Sequence, residues 1–375
     1  MSALTDRVQR AIDEGSIPGA VTLVARGGDV HAEAQGTVSF GGPPMPQDAI
    51  FRIMSMTKPV LTVATLRLVQ DGRLDLDDPV ERWLPELAER TVLRTPTAGL
   101  DEVEPARHPI TVRHLLTNGS GYGMELGDTP IARGYEEIGM APGPEPISPG
   151  ADAWLSRLAT LPLTHQPGEG FRYHHSFSLL GVLLQHVAGV PRQELLEREV
   201  LGPLGMVDTG ERVPPEHTHR LPAAYTWRGE ELVELEPAGG GFHVGPAPYD
   251  TAHGELVSTA ADYLHFARML ANGGRVDGEI FVDPALVEQM VSDQTPAVAK
   301  TPESFFPGFW DATGWGWGGA VELSGDHAGR YGWSGGLGTD FFVDPDGTLG
   351  ILLTQVEMGE RTMPLVGDFQ RLAGR

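Results

Sequence analysis

The sequence predicts an α/β fold of the α+β kind, an antiparallel sheet flanked by helices and built from both ends of the chain, with a helical subdomain inserted between them. Three observations carry this. Residues 20–25 and 30–35 read as two strands across Gly27-Gly28-Asp29, a hairpin signal. The chain ends in short apolar runs separated by Gly-rich and Asp-Pro-Asp-Gly turns, from Trp315 to Gln355. Between these ends, from 57 to about 210, apolar residues recur at helical spacing. Residues 1–56 and 220–375 are therefore assigned to one α/β domain and 57–219 to a mainly helical one, with the functional site expected at their junction, where pockets tend to form.

Each element follows in order. A charged, amphipathic first helix stops at Ile17-Pro18-Gly19, and the hairpin follows. Residues 50–53 lead into a helix carrying Val60, Leu61, Val63, Ala64, Leu66, Leu68 and Val69, which ends at Asp71-Gly72. A short helix holding Trp83-Leu84 precedes a polar, proline-containing surface excursion from about 90 to 108. Thr111 caps a short helix that leaves through Thr117-Asn118-Gly119-Ser120-Gly121, and 122–150 form an irregular connection. Helices are expected at 151–159, from Leu179 to Val187 and at 192–200, then a hairpin at 224–226 and 231–235. Ser258-Thr259 caps a helix over 263–271, and residues 301–317 are rich in aromatics. The end reads as a strand from Trp315 to Leu323, a Gly-rich turn from Tyr331 to Gly336, strands at 340–343 and 349–355, and a closing helix over 364–372.

Bulk properties narrow the function. The chain has 375 residues, 40% of them hydrophobic, enough for a substantial core. Its formal charge of −24 repels phosphate backbones and anionic lipid, so neither nucleic acid nor a membrane is an expected partner. The first helix has no apolar export core and no apolar run reaches membrane-spanning length, so a cytoplasmic location is expected. The absence of cysteine excludes disulfides, thiolate metal sites and a cysteine nucleophile. His165, His174, His175 and His186, like His217 and His219, lack a tight ligand spacing with nearby acids, so no metal and no cofactor is expected.

The chemistry-bearing stretch is Ser55-Met56-Thr57-Lys58, just before the apolar helix. With the helix starting near Ser55, an i, i+3 spacing puts hydroxyl and amine on one face, the hydroxyl at the positive end of the helix dipole. A serine hydroxyl needs a neighbouring base, and an ordinary amine is protonated near neutral pH, so the lysine has to be buried or flanked by another group. Only two of the 27 basic residues are lysines, Lys58 and Lys300. The chain otherwise uses arginine, which cannot act as a base.

Three segments together carry a resemblance that covers nearly the whole chain. Ser55-Met56-Thr57-Lys58, then Tyr173 before a helix, then Trp333-Ser334-Gly335-Gly336, in this order, resemble the serine β-lactamase and penicillin-binding-protein superfamily. Leu115 to Gly121 is similar to its Leu-Leu-Thr-His-Thr-Ser-Gly segment, and Gly254-Glu255-Leu256-Val257-Ser258-Thr259-Ala260 to its Gly-Gly-Leu-x-Ser-Thr-Ala segment. Within the class C β-lactamase-like group, the likeness is best to family VIII carboxylesterases.

That resemblance implies a β-lactamase/transpeptidase-like fold and assigns roles by position. Ser55 is the nucleophile, Lys58 the amine that helps take its proton, and Tyr173 the proton relay. The backbone N–H groups of Ser55 and Gly336 form the oxyanion hole. Asn118, Tyr122, His175 and Trp333 are expected to touch substrate. Two departures matter: Trp333 replaces the cation that attracts a substrate carboxylate in β-lactamases, which favours a neutral small-molecule ester. His175 replaces an asparagine that contacts substrate amides, and adds a group able to titrate near neutral pH. A β-lactamase or D-amino-acid peptidase, an acyltransferase and a non-catalytic penicillin-binding-like sensor stay open as alternatives, and the oligomeric state is left open.

Overall fold

The computed structural model describes residues 2–141, 143, 145 and 149–374. Its centre is a seven-stranded, wholly antiparallel sheet. In spatial order the strands are Thr313–Trp315, Ala320–Glu322, Tyr331–Gly335, Thr339–Val343, Leu349–Leu353, Gly19–Arg26 and Asp29–Gly36. The two ends of the chain meet where Val21 pairs with Leu353 and Leu23 with Ile351. Strand Gly19–Arg26 is buried at every position except its last because helices cover both faces.

Strand alternation sorts the two faces. Val21, Leu23, Phe341 and Ile351 point into the main core, whereas Ala20, Val24, Phe342 and Leu352 point into a smaller one. The smaller core is closed by the first helix, Ser2–Asp13, and the last, Met363–Ala373, through Leu4, Val8, Leu365 and Phe369. On the other face lie helix Ala260–Ala271 and, beyond it, helix Thr57–Gln70. The latter is buried almost all round, as its apolar residues occupy every face. Thr62 and Thr65 return their hydroxyls to the carbonyls of Lys58 and Leu61, at 3.0 and 2.8 Å, so the burial leaves neither unsatisfied.

Several elements differ from expectation. The run 315–323 is two strands, Thr313–Trp315 and Ala320–Glu322, closed by a turn through Gly316-Trp317-Gly318-Gly319. Trp333 lies in a strand, Tyr331–Gly335, and the turn comes after it, with Gly338 at φ +76°. The excursion at 90–108 contains two paired strands, Thr91–Leu93 and Val103–Pro105, too short to show alternation. The connection at 122–150 holds a helix, Pro130–Glu137, started by Thr129, whose hydroxyl accepts from the Ala132 N–H at 3.2 Å. Trp83 and Leu84 lie between two 3₁₀ turns rather than in one helix. Among the described residues no helix is long and apolar enough to cross a membrane.

Candidate active site

Ser55 sits in a tight turn between strand Phe51–Met54 and helix Thr57–Gln70. The strand is held by antiparallel pairing with Leu256–Ser258, and its last residue, Met54, adopts φ +48°, which turns the chain toward the helix. The Met56 N–H donates to the Ile53 carbonyl at 3.1 Å, and the Tyr263 hydroxyl donates to the Met56 carbonyl at 2.7 Å. The helix begins two residues after Ser55. Even so, the Lys58 N–H reaches the Ser55 carbonyl at 3.1 Å and the Lys58 ammonium donates to Ser55 Oγ at 2.8 Å. The three-residue spacing thus does what a helical turn allows.

Tyr173 comes to the same place from a separate segment. The Arg172 N–H donates to the Asn118 carbonyl at 2.9 Å, and the Met124 N–H donates to the Tyr173 carbonyl at 2.8 Å. Arg172 is further fixed by a buried ion pair with Glu125 at 2.6 Å. His174, at φ +95°, turns the chain into helix His175–Ala188, anchored by the 2.8 Å contact between Ser176 and Ser120 hydroxyls. Met54, Asn118 and His174, three non-glycine residues at positive φ, therefore all stand on the segments that deliver the site. The Lys58 ammonium lies 4.9 Å from the centroid of the Tyr173 ring, and the Trp333 indole N–H donates to the Tyr173 oxygen at 2.6 Å.

Strand Tyr331–Gly335 brings the third segment in. Tyr331 and Trp333 face the main core, whereas Ser334 turns away and donates to Asp340 at 2.6 Å. Gly335 is pressed onto the strand before Ser55: a Cβ there would lie 2.4 Å from the Ile53 carbonyl oxygen. Thr339 completes that contact by donating to the same carbonyl at 3.1 Å. A Cβ at Gly336 would meet open space, so the residue after the contact borders a free volume.

Electrostatics centre on Lys58. Burial disfavours its charge, but the Glu255 carboxylate, with Oε1 at 3.4 Å from Nζ, and the Tyr173 side chain outweigh burial and hold the amine above its ordinary range. His174 is pushed well below its usual range by burial and by the neighbouring Lys58 charge, so it is neutral. Beside the trio, Phe305 lies 5.3 Å from the Tyr173 ring and Trp315 packs edge-on to Trp333 at 4.7 Å. Phe305 also lines a cavity of about 820 Å³ with Leu126, Pro302, Phe306 and Pro307.

Ser55, Lys58, Tyr173 and Trp333 thus stand together on this fold, and known proteins share the fold and much of the sequence. The sequence pattern of the family described as "Beta-lactamase" matches residues 4–372. The chain belongs to the β-lactamase family. It is 36% identical over 358 residues to Protein Rv1367c of Mycobacterium tuberculosis, covering 92% of this chain and 87% of that one. It is 32% identical over 379 residues to Esterase EstB of Burkholderia gladioli, covering 94% and 90%. The structure of EstCE1, described as a hydrolase with promiscuous acyltransferase activity, superposes with a TM-score of 0.77 at 29% identity, covering 97% of this chain and 96% of that one. The fold is β-lactamase/transpeptidase-like.

Within this β-lactamase-family site, three of the residues expected to touch substrate are corrected by their burial. Tyr122 is 0% exposed, its hydroxyl donating to the Leu161 carbonyl at 3.3 Å. Asn118 is likewise 0% exposed, and it is its backbone carbonyl that holds the Tyr173 segment. His175 is buried between helices, stacked on Tyr135 at 4.8 Å, and it donates to the Met140 carbonyl at 2.9 Å. Burial pushes its pKa down to about 4, so it is not a group titrating near neutral pH. Trp333 is partly exposed and contacts Tyr173 directly. Sequence reasoning missed Glu255 as a member of the site, and it offered Phe305 for the pocket only with the rest of its aromatic stretch. The signal for Glu255 was a carboxylate at the second glycine of the Gly-Gly-Leu likeness; Phe305 was one aromatic among six in its stretch.

Proposed function

We propose that this chain is a serine hydrolase that cleaves carboxylic esters of small molecules through an acyl-enzyme on Ser55. The observation that carries this reading is the neutral indole donor of Trp333 on the Tyr173 oxygen, beside the 2.8 Å contact of Lys58 and Ser55. A cation in that place would attract a carboxylate; an indole gives a hydrogen bond without a net charge, which suits an uncharged ester.

The steps follow from positions. The Tyr173 oxygen, which accepts from the Trp333 N–H and belongs to the ring beside the Lys58 ammonium, takes the Ser55 proton as Oγ attacks the carbonyl. The Ser55 and Gly336 amides hold the developing oxyanion. Tyr173 then returns the proton to the departing alkoxide; water, giving a proton to Tyr173, attacks the acyl carbon, and Tyr173 passes that proton to Ser55 Oγ as the acid leaves. Esterase EstB, similar over most of both chains, supports ester cleavage over β-lactam cleavage. The likeness to EstCE1 adds acyl transfer to a small acceptor as a second reading.

The test is intact-mass measurement and turnover with a p-nitrophenyl ester series, wild type beside Ser55→Ala. An acyl adduct and turnover lost together in the variant are expected. Turnover retained by Ser55→Ala sinks the reading, and faster cleavage of a chromogenic cephalosporin than of any short ester reverses the substrate preference. Added alcohols and amines, with product analysis, separate transfer from hydrolysis.

A further inference from the structure

We infer that Glu255 is a positioning residue that sets which side chain serves as base at Ser55, by holding Lys58 as a donor to Ser55 and leaving the acceptor role to Tyr173. This rests on the serine-hydrolase reading above and goes beyond it.

Glu255 is built into the site. The next residue, Leu256, pairs with Met54 in the strand that delivers Ser55, and its N–H donates to the Thr57 hydroxyl at 2.9 Å, in the first turn of the lysine's own helix. Position 255 is therefore tied to Ser55 and Lys58 from both sides. Its Oε1 stands 3.4 Å from Lys58 Nζ. Its Oε2 is buried and has no hydrogen-bond partner among the described residues. A partly buried carboxylate with one bare, buried oxygen is costly on its own, and the ammonium offsets that cost. In the segment this stretch resembles, the position is a glycine, which cannot supply a charge.

Around Lys58 the other titratable groups are Tyr173, His174 and His175. Both histidines are held neutral by burial and by the lysine's charge. Glu255 is thus the anion that opposes desolvation of the amine. The consequence for Ser55 follows from Lys58. With Glu255 present the proton stays on Nζ, the ammonium donates to Ser55 and cannot accept from it, and the acceptor role falls to Tyr173. With the carboxylate removed, the buried amine gives up its charge more readily and Lys58 itself can accept from Ser55.

The chain's two lysines make this directly measurable. Protein labelled with ε-¹³C-lysine gives two signals, assigned with Lys300→Arg. The Lys58 midpoint is expected to fall by about one pH unit or more in Glu255→Gln, with Glu255→Asp closer to wild type. On a p-nitrophenyl ester, the alkaline limb of kcat/KM moves down with it, and Tyr173→Phe costs at least about tenfold less in the Glu255→Gln background than in wild type. A Lys58 midpoint unchanged by Glu255→Gln overturns the inference. Should that variant not fold, Glu255→Ala carries the test, since it also removes the charge; a midpoint unmoved there overturns it equally. The lysine titration needs no substrate, so a wild type without ester turnover defeats the hydrolase reading alone.

Discussion

The Trp333 indole N–H and the Tyr173 phenol oxygen, 160 residues apart in sequence, are joined by a 2.6 Å hydrogen bond. Trp333 also packs its ring against Phe305 and Trp315, so it is held in place on one side while its polar edge is aimed at the tyrosine. Trp333→Phe keeps the ring and removes the donor. We expect kcat on a p-nitrophenyl ester to fall roughly 10- to 100-fold with KM changed by less than about threefold. An unchanged kcat would assign the bond to packing alone.

Gly335 and Gly336 are adjacent but differ in what a side chain would meet. A Cβ at 335 runs into the Ile53 carbonyl and the Thr339 hydroxyl, both at under 2.5 Å, and the first is backbone. A Cβ at 336 meets nothing. Gly335→Ala is expected to displace the strand from the Ser55 turn, lowering both melting temperature and kcat, whereas Gly336→Ala melts like wild type. Thermal unfolding of the two variants, side by side, checks this contrast.

Phe305 forms a wall between Tyr173 and the apolar cavity of about 820 Å³. Phe305→Ala opens that wall. The kcat/KM ratio of a long-chain or bulky p-nitrophenyl ester to the acetate is expected to rise about fivefold or more, the scale of a few buried methylenes. An unaltered ratio across the series would show that substrate does not extend this way.

Acid should destabilise the protein through its buried histidines. Burial pushes His114, His165, His175, His243 and His253 each down to about 4. Unfolded histidines titrate near 6.5, so between those values the unfolded chain binds more protons and stability falls as pH falls. Asp340, pushed up to about 7 by burial, works in the opposite sense, as do Glu125 and Asp262. The histidines prevail in number. The melting temperature is expected to drop by roughly 5 °C or more from pH 7 to pH 4.5, with a shallower drop in His175→Phe, which keeps the stack on Tyr135 and cannot protonate. A melting temperature flat across this range would contradict the assignment.

Much of this site was legible before any tertiary contact was known. The three-residue spacing of Ser55 and Lys58, the phenol before an apolar helix and the Trp-Ser-Gly-Gly run are local facts, because helical and strand periodicity is set by the backbone of the segment itself. The hairpin at the start and the helix after Ser55 were readable for the same reason. The short paired strands at 91–93 and 103–105 were not, since two segments of three residues carry no period to detect.

From residue order alone came Ser55, Lys58 and Tyr173 as candidates for one site and the membership of the sheet's two ends in one structure. Tertiary structure alone decided that Asn118, Tyr122 and His175 support the site from inside the core, and that Glu255 faces Lys58. The reason is physical. Spacing along a chain fixes geometry over one turn, but burial and the charge state of an amine depend on what distant segments bring within a few ångströms, and that sum is formed only when the chain has folded.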